Sequence, residues 1–165
     1  MKKILLLVLL LVIIATQSQS QTKSANPAKS QTKDDLIKVL DNMYLAYNTK
    51  DIKLFLSLMA DDGLYCGTDS KDLWHKDIYS KRMTELFADT SFHSQIKVDK
   101  REILMAKDHK SAIVVDQFFF EWNKNIPVRH IVHFVRNENK WRCNFLSTTF
   151  VPNDADLDKI FKAVR

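Results

Sequence analysis

Glycine and proline are scarce, at 2 and 3 of 165 residues, which excludes collagen-like repeats and Pro/Gly-rich disordered chains. Cysteine is limited to Cys66 and Cys143. There is no G-x-S-x-G elbow and no phosphate-binding loop. No H-x-H or H-E-x-x-H pattern offers a metal site, and no Cys-His-Asn/Asp signature offers a thiol nucleophile. Charge of one sign is never concentrated. The formal net charge is +5, yet bases alternate with acids, as in Lys97-Val98-Asp99-Lys100-Arg101-Glu102. No basic stripe tracks a phosphate backbone, so nucleic acid is not an expected partner.

Long apolar runs are also missing, with one exception at the start. Met1-Lys2-Lys3 is a positive leader, Ile4 to Ala15 is uninterruptedly apolar, and Thr16 to Gln21 is small and polar. That is the layout of a secretory signal peptide over residues 1–20. Twelve apolar residues fall short of the roughly 20 that a membrane-spanning helix needs, so no stable anchor is expected once the leader is removed. Without Lys2 and Lys3 the charge of +5 falls to +3. The following stretch is rich in Gln, Ser, Thr and Lys and cannot bury enough apolar surface to fold. Residues 21–32 therefore read as a flexible linker, and 33–165 as one domain in the periplasm or secreted.

Within that domain the hydrophobic period changes once. Leu36, Val39, Leu40, Met43, Tyr44 and Tyr47 recur at helical spacing, predicting a helix over 33–48, with Thr32 and Asp35 at capping-box spacing. A second helix is expected from Thr49–Asp51 to Met59, closed by Ala60-Asp61-Asp62-Gly63. Leu64–Cys66 reads as a short strand, Leu73-Trp74 as one helical turn, and 77–88 as a third helix. Strands follow over 92–106, 111–122, 128–136 and 141–150, separated by polar turns, and a short helix closes the chain. Helices first and an antiparallel meander after them make an α+β protein, with helices packed on one face of a curved sheet.

Several segments together resemble the SnoaL-like branch of the nuclear transport factor 2-like superfamily. They are Tyr47-Asn48-Thr49-Lys50-Asp51-Ile52 leading to Ala60-Asp61-Asp62, the turn Gly67-Thr68-Asp69-Ser70-Lys71-Asp72-Leu73-Trp74, then Val128-Arg129-His130 and Asn139-Lys140-Trp141-Arg142. The resemblance covers about 33–150. It implies a cone: a strongly curved, mostly antiparallel sheet wrapped over helices, with a pocket at the open end. It also implies pairing of copies through the outer sheet face. The ketosteroid isomerases of this superfamily use an Asp base just after the "ADD" segment; the corresponding position here is Gly67, which cannot act as a base. Their helix-one Tyr falls on Met43, beside Tyr44. The last strand, Trp141 to Ser147, carries no His where many SnoaL-like sequences have one. These departures argue against inherited isomerase or cyclase chemistry.

The residues themselves nominate a site. Asp116 lies in an otherwise apolar strand and shares a face with Val114, Phe118 and Phe120. A carboxylate there needs a hydrogen-bond partner, and Tyr44, Tyr47 or Arg129 are the expected ones. Asp116 and Tyr44 are the candidate catalytic pair. Tyr47, Trp74, Phe118, Arg129, His133 and Trp141 are the candidate ligand-binding residues. His130 and His133, three apart in one strand, point to opposite faces and cannot share a metal. Cys66 and Cys143, both in predicted strands of an exported chain, admit one disulfide; the other reading is two buried thiols. No cofactor is indicated. Three functions fit: a pocket protein that binds a small, mostly apolar or aromatic molecule, an acid–base enzyme using Asp116 with a Tyr or His, or a homodimeric interaction module without a ligand.

Overall fold

A computed structural model describes residues 27–93 and 95–164. The leader expected at 1–20 and the start of the linker lie outside them. Gln31–Arg165 is one compact unit; of Met1–Ser30 only the helical residues 27–30 are described.

The first helix, α1, is Pro27–Thr49. It begins six residues before the period predicts, so residues 27–32 are helical and Thr32 sits inside the helix instead of capping it. Leu36, Leu40, Met43 and Tyr44 bury the face that the spacing defines. α1 ends in a left-handed residue, Lys50 at φ 57°. Lys50 N–H reaches the Tyr47 carbonyl and Asp51 N–H the Ala46 carbonyl, which closes a Schellman motif without its usual glycine. Asn48 clamps the backbone of Ile96, accepting from its N–H at 2.8 Å and donating to its carbonyl at 2.9 Å. Asp51 caps α2 (Ile52–Ser57) by accepting from Leu54 N–H.

Ala60-Asp61-Asp62-Gly63 does not end a helix but belongs to strand β1, Met59–Cys66. Its register shifts between Met59 and Leu64. Gly63 is required there, because a Cβ would run into the Tyr65 ring, whose hydroxyl lies 3.0 Å from the carbonyls of Ala60 and Cys143. Leu73-Trp74 is likewise not a helical turn but part of strand β2, Leu73–His75, which pairs with β1. Two residues on their own carry no period, so the pairing with β1 decides their state. Helix α3 is Lys76–Ala88.

The meander follows as β3 (Val98–Met105), β4 (Ser111–Phe120), β5 (Asn123–Asn137) and β6 (Lys140–Phe150), and α4 (Asp154–Ala163) closes the chain. One six-stranded sheet runs β2-β1-β6-β5-β4-β3. Its neighbours are antiparallel except β1 and β6. The core lies between α1, α2, α3 and the inner face of this sheet, around Leu40, Met43, Tyr65, Phe118, Val132 and Phe134. This is the expected α+β cone.

Candidate functional site

On β4 the buried positions alternate as Ala112, Val114, Asp116, Phe118. Asp116 is therefore carried inward by strand parity and is fully buried. Tyr44 on α1 meets it: its hydroxyl donates to Asp116 Oδ2 at 2.7 Å. Arg101 on β3, the cross-strand neighbour of Asp116, donates from Nε to Oδ1 at 2.9 Å and from Nη2 to Oδ2 at 3.0 Å. Such a forked pair is a strong way to hold a buried carboxylate. Arg101 also reaches Asp41 of α1 from Nη1 at 3.1 Å, so one guanidinium ties the first helix to the sheet.

On the other side of Asp116, the register places His130 of β5 directly opposite. His130 is buried, and its Nδ1 lies 3.4 Å from the Tyr44 hydroxyl. Phe118 packs edge-on against its ring at 4.7 Å between centroids. Burial holds the imidazole neutral, with its pKa pushed down to about 4. Burial raises the Tyr44 hydroxyl well above its ordinary value, and the Asp116 charge adds to this, so Tyr44 keeps its proton.

Two members of this cluster, Tyr44 and His130, line a cavity of about 320 Å³. Its walls are largely apolar, with aromatic rings from Tyr47, Phe55, Trp74, Tyr79, Phe120 and Phe150. Tyr44 and His130 stand on the wall together with Thr148, and Cys66, Gly67 and Asp72 line it from the β1–β2 region. Gly67, at the position where a ketosteroid isomerase would carry its base, thus reaches the cavity with no side chain.

The nominated residues separate into three groups. Tyr44, Tyr47 and Trp74 line the cavity. Asp116, Phe118 and Trp141 are buried but stand behind its wall: Asp116 is screened by Tyr44 and His130, while Trp141 lies under the Arg136 guanidinium at 5.9 Å. Arg129 and His133 are corrections. β5 buries Val128, His130, Val132 and Phe134, which turns Arg129 and His133 to the outer sheet face. There Arg129 donates to Gln117 and His133 meets Asn144. The disulfide is a further correction, since both cysteines are free. Cys66 pairs with Ser147, four residues along β6 from Cys143. That is roughly 13 Å at about 3.3 Å per residue, and a bridge requires Cα atoms within about 7 Å.

Sequence reasoning missed two members of the cluster. Arg101 is hidden in a mixed-charge stretch, and His130 stands out in the sequence only as a metal-ligand type that has no partner histidine on its face. Their signal was positional, as cross-strand neighbours of Asp116, and became readable only with the register.

The sequence profile of the SnoaL-like domain matches residues 36–146. A comparison with curated proteins gives no match. Among solved structures, a nuclear transport factor 2-like protein from Cytophaga hutchinsonii is 14% identical, with a TM-score of 0.60 over 72% of this chain and 98% of that one. A nuclear transport factor 2-like protein of unknown function from Pseudomonas putida is 12% identical, with a TM-score of 0.64 over 78% and 92%. An uncharacterized protein with a cystatin-like fold from Caulobacter vibrioides is 18% identical, with a TM-score of 0.61 over 80% and 99%. At these identities the likeness concerns the fold.

Proposed function

This chain belongs to the SnoaL-like domain family, within the nuclear transport factor 2-like fold, and from that premise we propose that it binds a small, mostly apolar molecule in the cone cavity. The observation that carries the reading is the wall itself. A cavity of about 320 Å³ is lined largely by apolar and aromatic side chains, with polar groups from Tyr44, His130 and Thr148 and, from the β1–β2 region, Thr68 and Asp72. Apolar walls around a few fixed polar groups are the usual form of a small-molecule site. Asp116 serves this site by holding Tyr44 in place, not by touching the ligand. That weighs against the alternative of an acid–base enzyme with Asp116 as its base: both carboxylate oxygens are taken by Arg101 and Tyr44.

The reading extends to compartment and assembly. The leader layout of residues 1–20 supports export to the periplasm or the medium. The outer sheet face supports a homodimer: Leu104 and Ile113 are cross-strand partners there, as are Val115 and Ile131, and Leu104, Ile113 and Ile131 are exposed.

The test is a titration with N-phenyl-1-naphthylamine, which fluoresces when it leaves water for an apolar site. Saturable enhancement at one probe per chain is expected, and it should be lost in Leu86→Trp, which fills the cavity from α3. No saturable signal from the folded protein would overturn the reading.

A further inference from the structure

We propose that the polar spot which the α1–β4–β5 cluster presents to the cavity is a hydrogen-bond acceptor, His130 Nε2, and that the cavity is therefore built for an apolar molecule that carries a hydroxyl group. The inference rests on the ligand-binding reading above and adds the chemistry of the ligand.

One chain of contacts fixes where each proton sits. Asp116 is a carboxylate held by a forked guanidinium, and a carboxylate can only accept. The single proton of Tyr44 is therefore committed to Asp116 Oδ2, at 2.7 Å. What the Tyr44 oxygen has left is lone pairs, and these face His130 Nδ1 at 3.4 Å. That approach is attractive only if Nδ1 carries a hydrogen; a bare Nδ1 would set lone pair against lone pair. The buried ring is neutral, with a pKa of about 4, so it has one proton to place. With that proton on Nδ1, Nε2 is bare. No hydrogen bond satisfies Nε2 among the described residues, and His130 is on the cavity wall. An accessible, unpaired acceptor on the wall of a largely apolar chamber calls for a donor on whatever displaces water there.

The neighbouring strand narrows the donor type. Thr148 of β6 is the cross-strand partner of His130 and lines the same cavity. Directly opposed side chains stand about 4.5–5.5 Å apart at Cβ, the spacing across which one oxygen can touch both groups. A ligand hydroxyl can donate to His130 Nε2 and accept from the Thr148 hydroxyl. An ether or an aldehyde can satisfy only Thr148 and leaves Nε2 unpaired. A carboxylate brings an anion to an unprotonated nitrogen among aromatic walls. Tyr44 is thus a positioning residue: it fixes which nitrogen of His130 faces the ligand.

The experiment compares naphthalene, 2-naphthol, 2-methoxynaphthalene and 2-naphthaldehyde, titrated calorimetrically into the full chain at pH 7. 2-Naphthol is expected to bind at least about tenfold tighter than the ether or the aldehyde, the worth of one buried hydrogen bond. In His130→Phe this preference should vanish while naphthalene still binds. Nitrogen NMR of the unliganded protein should find Nδ1 of His130 protonated and Nε2 bare. Tyr44→Phe should release that tautomer and lower the hydroxyl preference, giving a second readout if His130→Phe does not fold. Equal or tighter binding of the ether or aldehyde, or a protonated Nε2, would overturn this inference while leaving ligand binding intact. If no probe binds, naphthalene included, the ligand-binding reading fails and takes this one with it.

Discussion

Tyr44, on the first helix, donates its phenolic hydrogen to Oδ2 of Asp116, 72 residues further along the chain, at 2.7 Å. Arg101 completes the same carboxylate from a third element. Removing Asp116 strands a partly buried guanidinium and a buried hydroxyl at once. Asp116→Ala is expected to lose about 3–5 kcal/mol of stability, the cost of breaking a buried ion pair from one side. Asp108 sits in an exposed turn, where its side chain accepts from Lys110 N–H, and Asp108→Ala should cost less than about 1 kcal/mol. Urea unfolding of both variants checks this; similar midpoints would contradict the structural role of Asp116.

His130 gives the fold an acid sensitivity of known sign. Its pKa is about 4 in the fold and about 6.5 in an unfolded chain. Between these values the unfolded state binds a proton that the folded state refuses, so stability falls as pH drops. The contribution is complete above about pH 6.5 and is lost progressively down to about pH 4, a total on the order of 3 kcal/mol. His130→Gln removes the titrating ring. The difference between the two stability-against-pH curves should slope through this window and flatten below it. Parallel curves would refute the neutral buried ring.

The β5–β6 hairpin turns on Glu138 and Asn139, at φ 49° and 62°. Positive φ at both central residues is the type I′ geometry, which favours Asn followed by Gly. Scarcity of glycine leaves an ordinary residue to bear this cost. The double substitution Glu138→Asn, Asn139→Gly is expected to raise stability by about 1 kcal/mol, read as a higher melting temperature. A lower one would contradict the turn assignment.

The two thiols should behave differently. Cys143 is fully buried and burial raises its pKa strongly. Cys66 is half-buried on the cavity wall, and burial raises its pKa as well. A disulfide reagent is expected to label Cys66 slowly in the native protein, more slowly still with the cavity occupied, and Cys143 only after unfolding. No free thiol in the unfolded protein, a mass lower by two hydrogens, and recovery of both thiols on reduction would mean that a bridge had formed after all.

How much of this was legible beforehand depended on parity and register. The helical face of α1 and the inward face of β4 follow from period alone, so Tyr44 and Asp116 were found together. Arg101 was not. The alternation Ile96, Val98, Lys100 points Arg101 outward, but the register shift between Val98 and Lys100 reverses the parity and turns Arg101 inward. A bulge of one residue leaves no mark in composition. Arg129 was misplaced for a related reason. Both faces of β5 carry apolar residues and one imidazole, and only its pairing of His130 with Asp116 decides which face is inside. The β2 strand was missed because its conformation is imposed by β1 rather than by its own residues.

The tryptophans report in place whether a ligand sits in the cone cavity. Trp74 and Trp122 line the cavity, whereas Trp141 is buried outside it. A brominated probe, 6-bromo-2-naphthol, quenches indole fluorescence on contact. In Trp122→Phe/Trp141→Phe, the remaining Trp74 should be quenched saturably. In Trp74→Phe/Trp122→Phe, the remaining Trp141 should keep its emission at the same probe concentration. Equal quenching of both, or quenching of Trp141 alone, would place the probe elsewhere and contradict the assignment.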